Sequence, residues 1–223
     1  MNLTKKELKK IFLQNNITKK YNISVIEDYI EFYLENEHFN LKFYFRLQFD
    51  SLLTLQTFTI SLKEFESKFK HLIISSLNSY YEEFIKVNPR KFYPTDHSFS
   101  KDIQSKEELD EFLSDFYLCL NFYETEIFPK LTDIHFLADY VGSVPFENNL
   151  EIVVGGTYPV TIFKKLAILK WGNHPRYEEY KQGLATFIEE DFLDPKYQQE
   201  APLYKKGFEK LIYHLENEPN PFL

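Results

Sequence analysis

The chain has 223 residues and a net charge of −8, from 26 basic and 34 acidic side chains. A chain of that length can bury about 70% of its unfolded surface, so it needs neither disulfide nor metal to hold a core. The lone cysteine, Cys119, excludes an intramolecular disulfide, a four-cysteine zinc site and a paired-thiol redox motif.

Residues 4–15 read as a helix, with Asn2 or Thr4 as its cap and Leu8, Ile11 and Phe12 as an apolar stripe between lysines. The clearest pattern follows. Phe39, Leu41, Phe43, Phe45, Leu47 and Phe49 alternate with His38, Asn40, Lys42, Tyr44, Arg46 and Gln48. A strict period of two predicts a strand with one buried face. Ile30, Phe32 and Leu34 alternate just before it, across the polar stretch 35–38, which predicts a β-hairpin. A third strand is expected over about 52–60, with a bulge near Thr57 where the parity of Leu53 and Leu55 gives way to that of Phe58 and Ile60. Val25 and Ile26 begin a short edge strand.

After Ser61 the period becomes helical. Ser61 and Glu64 form a Ser-x-x-Glu box, and Phe65, Phe69, Leu72, Ile73, Leu77 and Phe84 share a face, so one long helix over 62–86 is expected to cover the sheet. Polar residues with Pro89 and Pro94 make 88–105 a long loop, either functional or hiding a short strand. A second box, Ser105 with Glu108, opens a helix that Pro129 is expected to stop. Thr132 should cap a short helix ended by Gly142 as a left-handed cap. Gly155-Gly156-Thr157 leads into a helix with Pro159 in its first turn and Gly172 at its end, Pro175 opens another to about Glu190, and a last helix spans 202–216. The fold expected is α+β: an antiparallel sheet of three or four strands near the N-terminus packed by helices, then a helical C-terminal half. It reads as one domain over 1–223, in which 157–223 could form a helical subdomain.

Chemistry is sparse. No histidine stands in a His-x-x-x-His or His-Glu-x-x-His pattern, and no metal or cofactor is implied. Asp96-His97 in the long loop is the one candidate catalytic pair, since a carboxylate can fix and charge an imidazole that acts as a base. Gly155-Gly156 before a helix could offer free amides to an anion, although a tight connection explains it as well. The acidic run from Glu107 to Asp115 suits a helix start, whereas Glu189, Glu190, Asp191 and Asp194 fall at a helix end, where the dipole disfavours them. That second cluster is the candidate docking site for a basic partner.

Phe58-Thr59-Ile60 on the third strand, and Ile127-Phe128-Pro129-Lys130-Leu131 with the short helix after it, carry a resemblance. From about 39 to 190 the order of features resembles a bacterial domain family of unknown function, with an antiparallel sheet rich in Phe and Gln and an acidic helix ending in a proline-containing turn. The resemblance implies a fold and no activity. Small acidic α+β proteins of bacteria include toxin-neutralising immunity proteins, an analogy at the level of fold and charge.

An acidic body repels a phosphate backbone, which argues against nucleic acid. No run approaches the roughly 18 apolar residues of a membrane span, and the start lacks the apolar centre of a secretory leader. The expectation is a cytoplasmic, non-enzymatic protein that binds a basic protein partner, as a toxin-immunity or adaptor protein does. The alternatives are a hydrolase-like enzyme centred on the 88–104 loop and a small-ligand sensor.

Overall fold

The computed structural model describes residues 4–93 and 99–223. Asp96 and His97 lie outside the described residues. Contacts within the chain gather into two compact units, Met1–Ser61 with Lys86–Pro129 and Leu62–Ile85 with Lys130–Leu223. The helical stretch 157–223 belongs to the second.

The first unit is built on an antiparallel sheet. Helix α1 (Lys5–Gln14) is opened by Thr4, whose side chain and that of Glu7 cap each other's backbone. Strands β1 (Asn22–Ile26), β2 (Tyr29–Glu35) and β3 (Phe39–Gln48) follow. Every second residue of β3 from Phe39 to Leu47 is buried, as the period of two requires. Register places Ile30, Phe32 and Leu34 opposite Phe45, Phe43 and Leu41. Phe49 departs from the pattern: it has left the strand for the turn, with φ 51°, and is 89% exposed.

The third strand is two, β4 (Leu52–Leu55) and β5 (Phe58–Leu62). Both pair with β3, and the break between them, at Gln56 and Thr57, is the parity change expected of a bulge. Short strands β6 (Ile85–Val87) and β7 (Ser100–Asp102) bring the sheet to seven, more than the three or four expected, in the order β1-β2-β3-β4-β7 with β5 joining β3 to β6. Three residues are too few to show a period.

Within the first unit the sheet's apolar face is covered by α1 and by α3 (Lys106–Phe122). Phe12 of α1 packs on Phe32 and Phe45 at 4.8 and 5.2 Å between ring centres, and Phe116 of α3 meets Phe45 at 4.7 Å. Each buried phenylalanine contributes about 1.5–3 kcal/mol, so these rings dominate the unit's stability. Ser105 and Glu108 cap α3 reciprocally, as read. Pro129 does not stop the helix. A π-turn (Tyr123–Ile127) widens the coil, and α4 (Phe128–Leu131) carries Pro129. The missing amide and the ring of a proline are tolerated where the regular i→i−4 ladder is already interrupted.

The second unit is helical. The long helix expected over 62–86 is only α2 (Lys63–Lys70), and Ser61 caps nothing because it belongs to β5. Beyond α2 come a 3-10 turn (Ser75–Tyr80) and an extended stretch whose Tyr80 and Phe84 carbonyls accept from the amides of Thr157 and Gly155. Helix α5 (Ile134–Val141) is capped by Asp133 rather than Thr132. Gly142 ends it with φ −79°, so it is not a left-handed cap; a Cβ there would fall 2.2 Å from the His174 ring, and close packing is what requires glycine. Helix α6 (Val160–Trp171), with Pro159 as its N-cap, is buried almost all round, as a central helix must be. A 3-10 segment (Phe146–Glu151) precedes it, and α7 (Tyr177–Asp191) and α8 (Ala201–Asn217) complete the unit.

Candidate functional site

The acidic end of α7 is joined to the 3-10 segment 146–151 by a small aromatic cluster. Gly183 lets Phe146 lie directly on α7, for a Cβ there would sit 2.2 Å from the Phe146 ring. Phe146 then meets Tyr180 and Phe187 at 5.4 and 5.0 Å between ring centres. Its amide donates to Glu179 at 2.6 Å, which ties the segment to the start of the helix and holds that carboxyl below the usual range.

This arrangement leaves apolar side chains in water. Leu150 is 81% exposed, Leu193 84%, Phe187 40% and Val153 41%. Scattered exposed apolar groups need no explanation, but these occupy two stretches, 146–154 and 183–195, that carry Glu147, Glu151, Glu189, Glu190, Asp191 and Asp194 and contain no Lys or Arg. Apolar anchors among carboxylates match a partner with apolar and basic groups of its own.

The four carboxylates singled out from the sequence do not act alike. Glu190 is exposed, three residues after Phe187 and so on the same side of the helix. Glu189 is exposed and pairs with Lys205 of α8 at 2.8 Å, a surface pair of little consequence for stability. Asp194 accepts from the Lys196 amide at 2.8 Å within its own turn. Asp191 differs from the expectation: it is buried and accepts from the Tyr158 hydroxyl, so its charge faces inward. Phe187, Leu150, Val153 and Leu193 were not read as functional. The available signal was an apolar residue in a stretch whose charges are all of one sign.

Two buried lysines lie side by side on α6. The Lys164 ammonium donates to Glu66 and to the carbonyls of Glu82 and Phe84 at 3.1 and 3.3 Å, which uses all three of its hydrogens. Tyr81 donates to the other Glu66 oxygen at 2.7 Å. Burial pushes Glu66 up and Lys164 down, each opposed by the charge of the other. A saturated pair of this kind is structural. Lys165 donates to the Asn149 carbonyl and side chain with no carboxylate near, and burial lowers its ammonium to about 8.

The glycines at 155 and 156 shape a close approach, in which the Gly155 and Thr157 amides donate to the Phe84 and Tyr80 carbonyls and so are not free for an anion. Cys119 is fully buried, and burial pushes its thiol up to about 12. His174 accepts from the Arg176 amide at 3.2 Å, a turn contact. Among the described residues no group of three or more His, Cys, Asp and Glu is placed to hold a metal ion, and no helix is long and apolar enough to cross a membrane.

Comparison with known proteins adds no further constraint: no family model, curated protein or solved structure matches the chain.

Proposed function

We propose that the chain is a cytoplasmic, non-catalytic binding protein for a basic protein partner, in the manner of a toxin-neutralising immunity protein or an adaptor. The observation that carries this reading is that 146–154 packs on α7 through Phe146 and Phe187, and that 146–154 and 183–195 hold four exposed apolar side chains and six carboxylates with no Lys or Arg of their own. Aromatic and aliphatic anchors supply affinity by leaving water, and the carboxylates steer a positive partner and reject a negative one. The net charge of −8 extends the same attraction beyond the contact.

The test is co-purification from the native cell with the wild-type chain and a Leu150→Asp/Leu193→Asp variant. The two side chains are 81% and 84% exposed, so the variant should melt as the wild type does. The reading predicts a basic protein that accompanies the wild type at low salt, is released as salt rises, and is missing from the variant. Recovery of the wild type alone at every salt concentration, or equal recovery of the same partner by the variant, overturns it.

A further inference from the structure

Beyond α8 the chain runs Glu-Pro-Asn-Pro-Phe-Leu from 218 to 223. Two prolines two apart rule out a helix interior, and the segment ends in a turn closed by the Leu223 amide, which donates to the Asn220 carbonyl at 3.4 Å. This segment lies back against α2 and the end of α6. The Phe222 ring meets the Trp171 indole at 5.4 Å between centres, at 49°. Asn220 donates from its side chain to the Trp171 carbonyl at 2.7 Å, which satisfies one of the last backbone acceptors of α6. The Lys68 ammonium stands 4.1 Å from the centre of the Phe222 ring, donates to the Pro221 carbonyl, and pairs with Glu64 at 2.7 Å. The Phe222 amide donates to the Asn220 side chain at 3.0 Å, so the bend in the segment is set locally. The surface therefore reads an amide, a proline carbonyl and an aromatic ring in succession.

The groove is only partly filled. Beside the segment is a cleft of about 250 Å³ bordered by Lys68, His71, Trp171, His214, Pro219 and Pro221. The cleft opens to solvent and is bordered by the indole, so it has room for side chains that the segment does not supply. Pro219, Pro221 and Leu223 are themselves exposed.

We propose that the groove between α2 and α8, floored by Trp171, recognises proline–aromatic peptide segments, is held in cis by residues 219–222, and accepts such a segment from a partner. Aromatic-lined grooves recurrently take proline-containing segments, because the fixed φ of proline leaves little conformational freedom to be lost on binding. A partner segment that also fills the cleft makes contacts the internal segment lacks, and so displaces it. The residues concerned are separate from the acidic face at 146–154 and 183–195, and each proposal stands or fails alone.

Trp171 is the only tryptophan, so tryptophan emission, excited selectively over tyrosine, comes from this residue alone. In the full chain, Phe222→Ala should alter Trp171 emission, and titration with the hexapeptide Glu-Pro-Asn-Pro-Phe-Leu should return it saturably to the wild-type spectrum. The wild type, whose groove the internal segment already fills, should keep its emission unchanged over the same titration. The same peptide with alanine for phenylalanine should do nothing. Unaltered emission in Phe222→Ala, or emission that no peptide restores at about 1 mM, a concentration matching the weakest useful affinity, overturns the proposal. Should circular dichroism show Phe222→Ala unfolded, Asn220→Ala, which loosens the segment and leaves the groove's own residues intact, carries the same titration with the same two outcomes.

Discussion

The Lys164 ammonium and the Glu66 carboxylate meet within the second unit with both side chains out of solvent. They come from α6 and α2, 98 residues apart, and the pair is completed by the Tyr81 hydroxyl and the carbonyls of Glu82 and Phe84. Breaking such a pair leaves one buried charge without a counter-ion, which costs about 3–5 kcal/mol, whereas replacing both partners by apolar residues is often neutral. Glu66→Gln should therefore lower the urea midpoint sharply, and Glu66→Leu/Lys164→Met should recover most of the loss. A Glu66→Gln chain as stable as the wild type contradicts the buried pair.

Lys165 makes stability depend on alkaline pH. Its ammonium titrates at about 8 in the folded chain and near about 10.4 when unfolded. Between those values the unfolded state binds more protons, so this residue's contribution rises with pH. Below pH 8 the lysine is charged in both states and the penalty, about 3 kcal/mol, is fully present. Cys119 and the buried tyrosines act in the opposite sense, because folding raises their pKa values. The readout is thus the difference between wild type and Lys165→Met, measured by urea unfolding at pH 7 and pH 10. The variant's advantage should be larger at pH 7, and parallel profiles would falsify the assignment.

Gly156 has φ 103°, and a Cβ there would lie 2.4 Å from the Tyr80 carbonyl oxygen; at Gly155 the corresponding distance is 2.3 Å, to the Glu82 carbonyl. Alanine at either position should cost more than about 2 kcal/mol through strain and the separation of 80–84 from 154–157. Phosphate should leave the wild-type melting temperature unchanged, since the Gly155 and Thr157 amides are already bonded. Stabilisation by phosphate that is lost in the alanine variants would restore the anion reading.

Cys119 should be silent toward a thiol reagent at neutral pH while the chain is folded, because its thiolate is disfavoured by burial and the sulfur is out of reach. One equivalent should react once the chain is unfolded in urea. Rapid labelling of the native chain would place Cys119 nearer the surface than the packing of α3 allows.

Much of the sheet was legible because alternation is local. Phe39 to Leu47 show their buried face in sequence, and Thr57 marked the change of parity that separates β4 from β5. The segment after Ser61 misled because Phe65, Phe69, Leu72, Ile73 and Leu77 are spaced for a helix, while residues 80–85 are drawn into pairing with residues some 70 positions away: Ile85 bridges Val154, and Phe84 and Tyr80 bond Gly155 and Thr157. Local periodicity carries no trace of such a partner. The candidate face was half legible. Glu190 announced itself by its place at a helix end, but Phe187 and Leu150 became notable only once their exposure was known, and Asp191 turned inward to Tyr158 for reasons of packing.

The most direct test of the basic-partner reading is amide hydrogen exchange on the chain with and without the protein it captures. Slower exchange confined to 146–154 and 183–195 in the complex is the result predicted. Slowing elsewhere, with those two stretches exchanging as they do in the free chain, would show that the partner binds another surface.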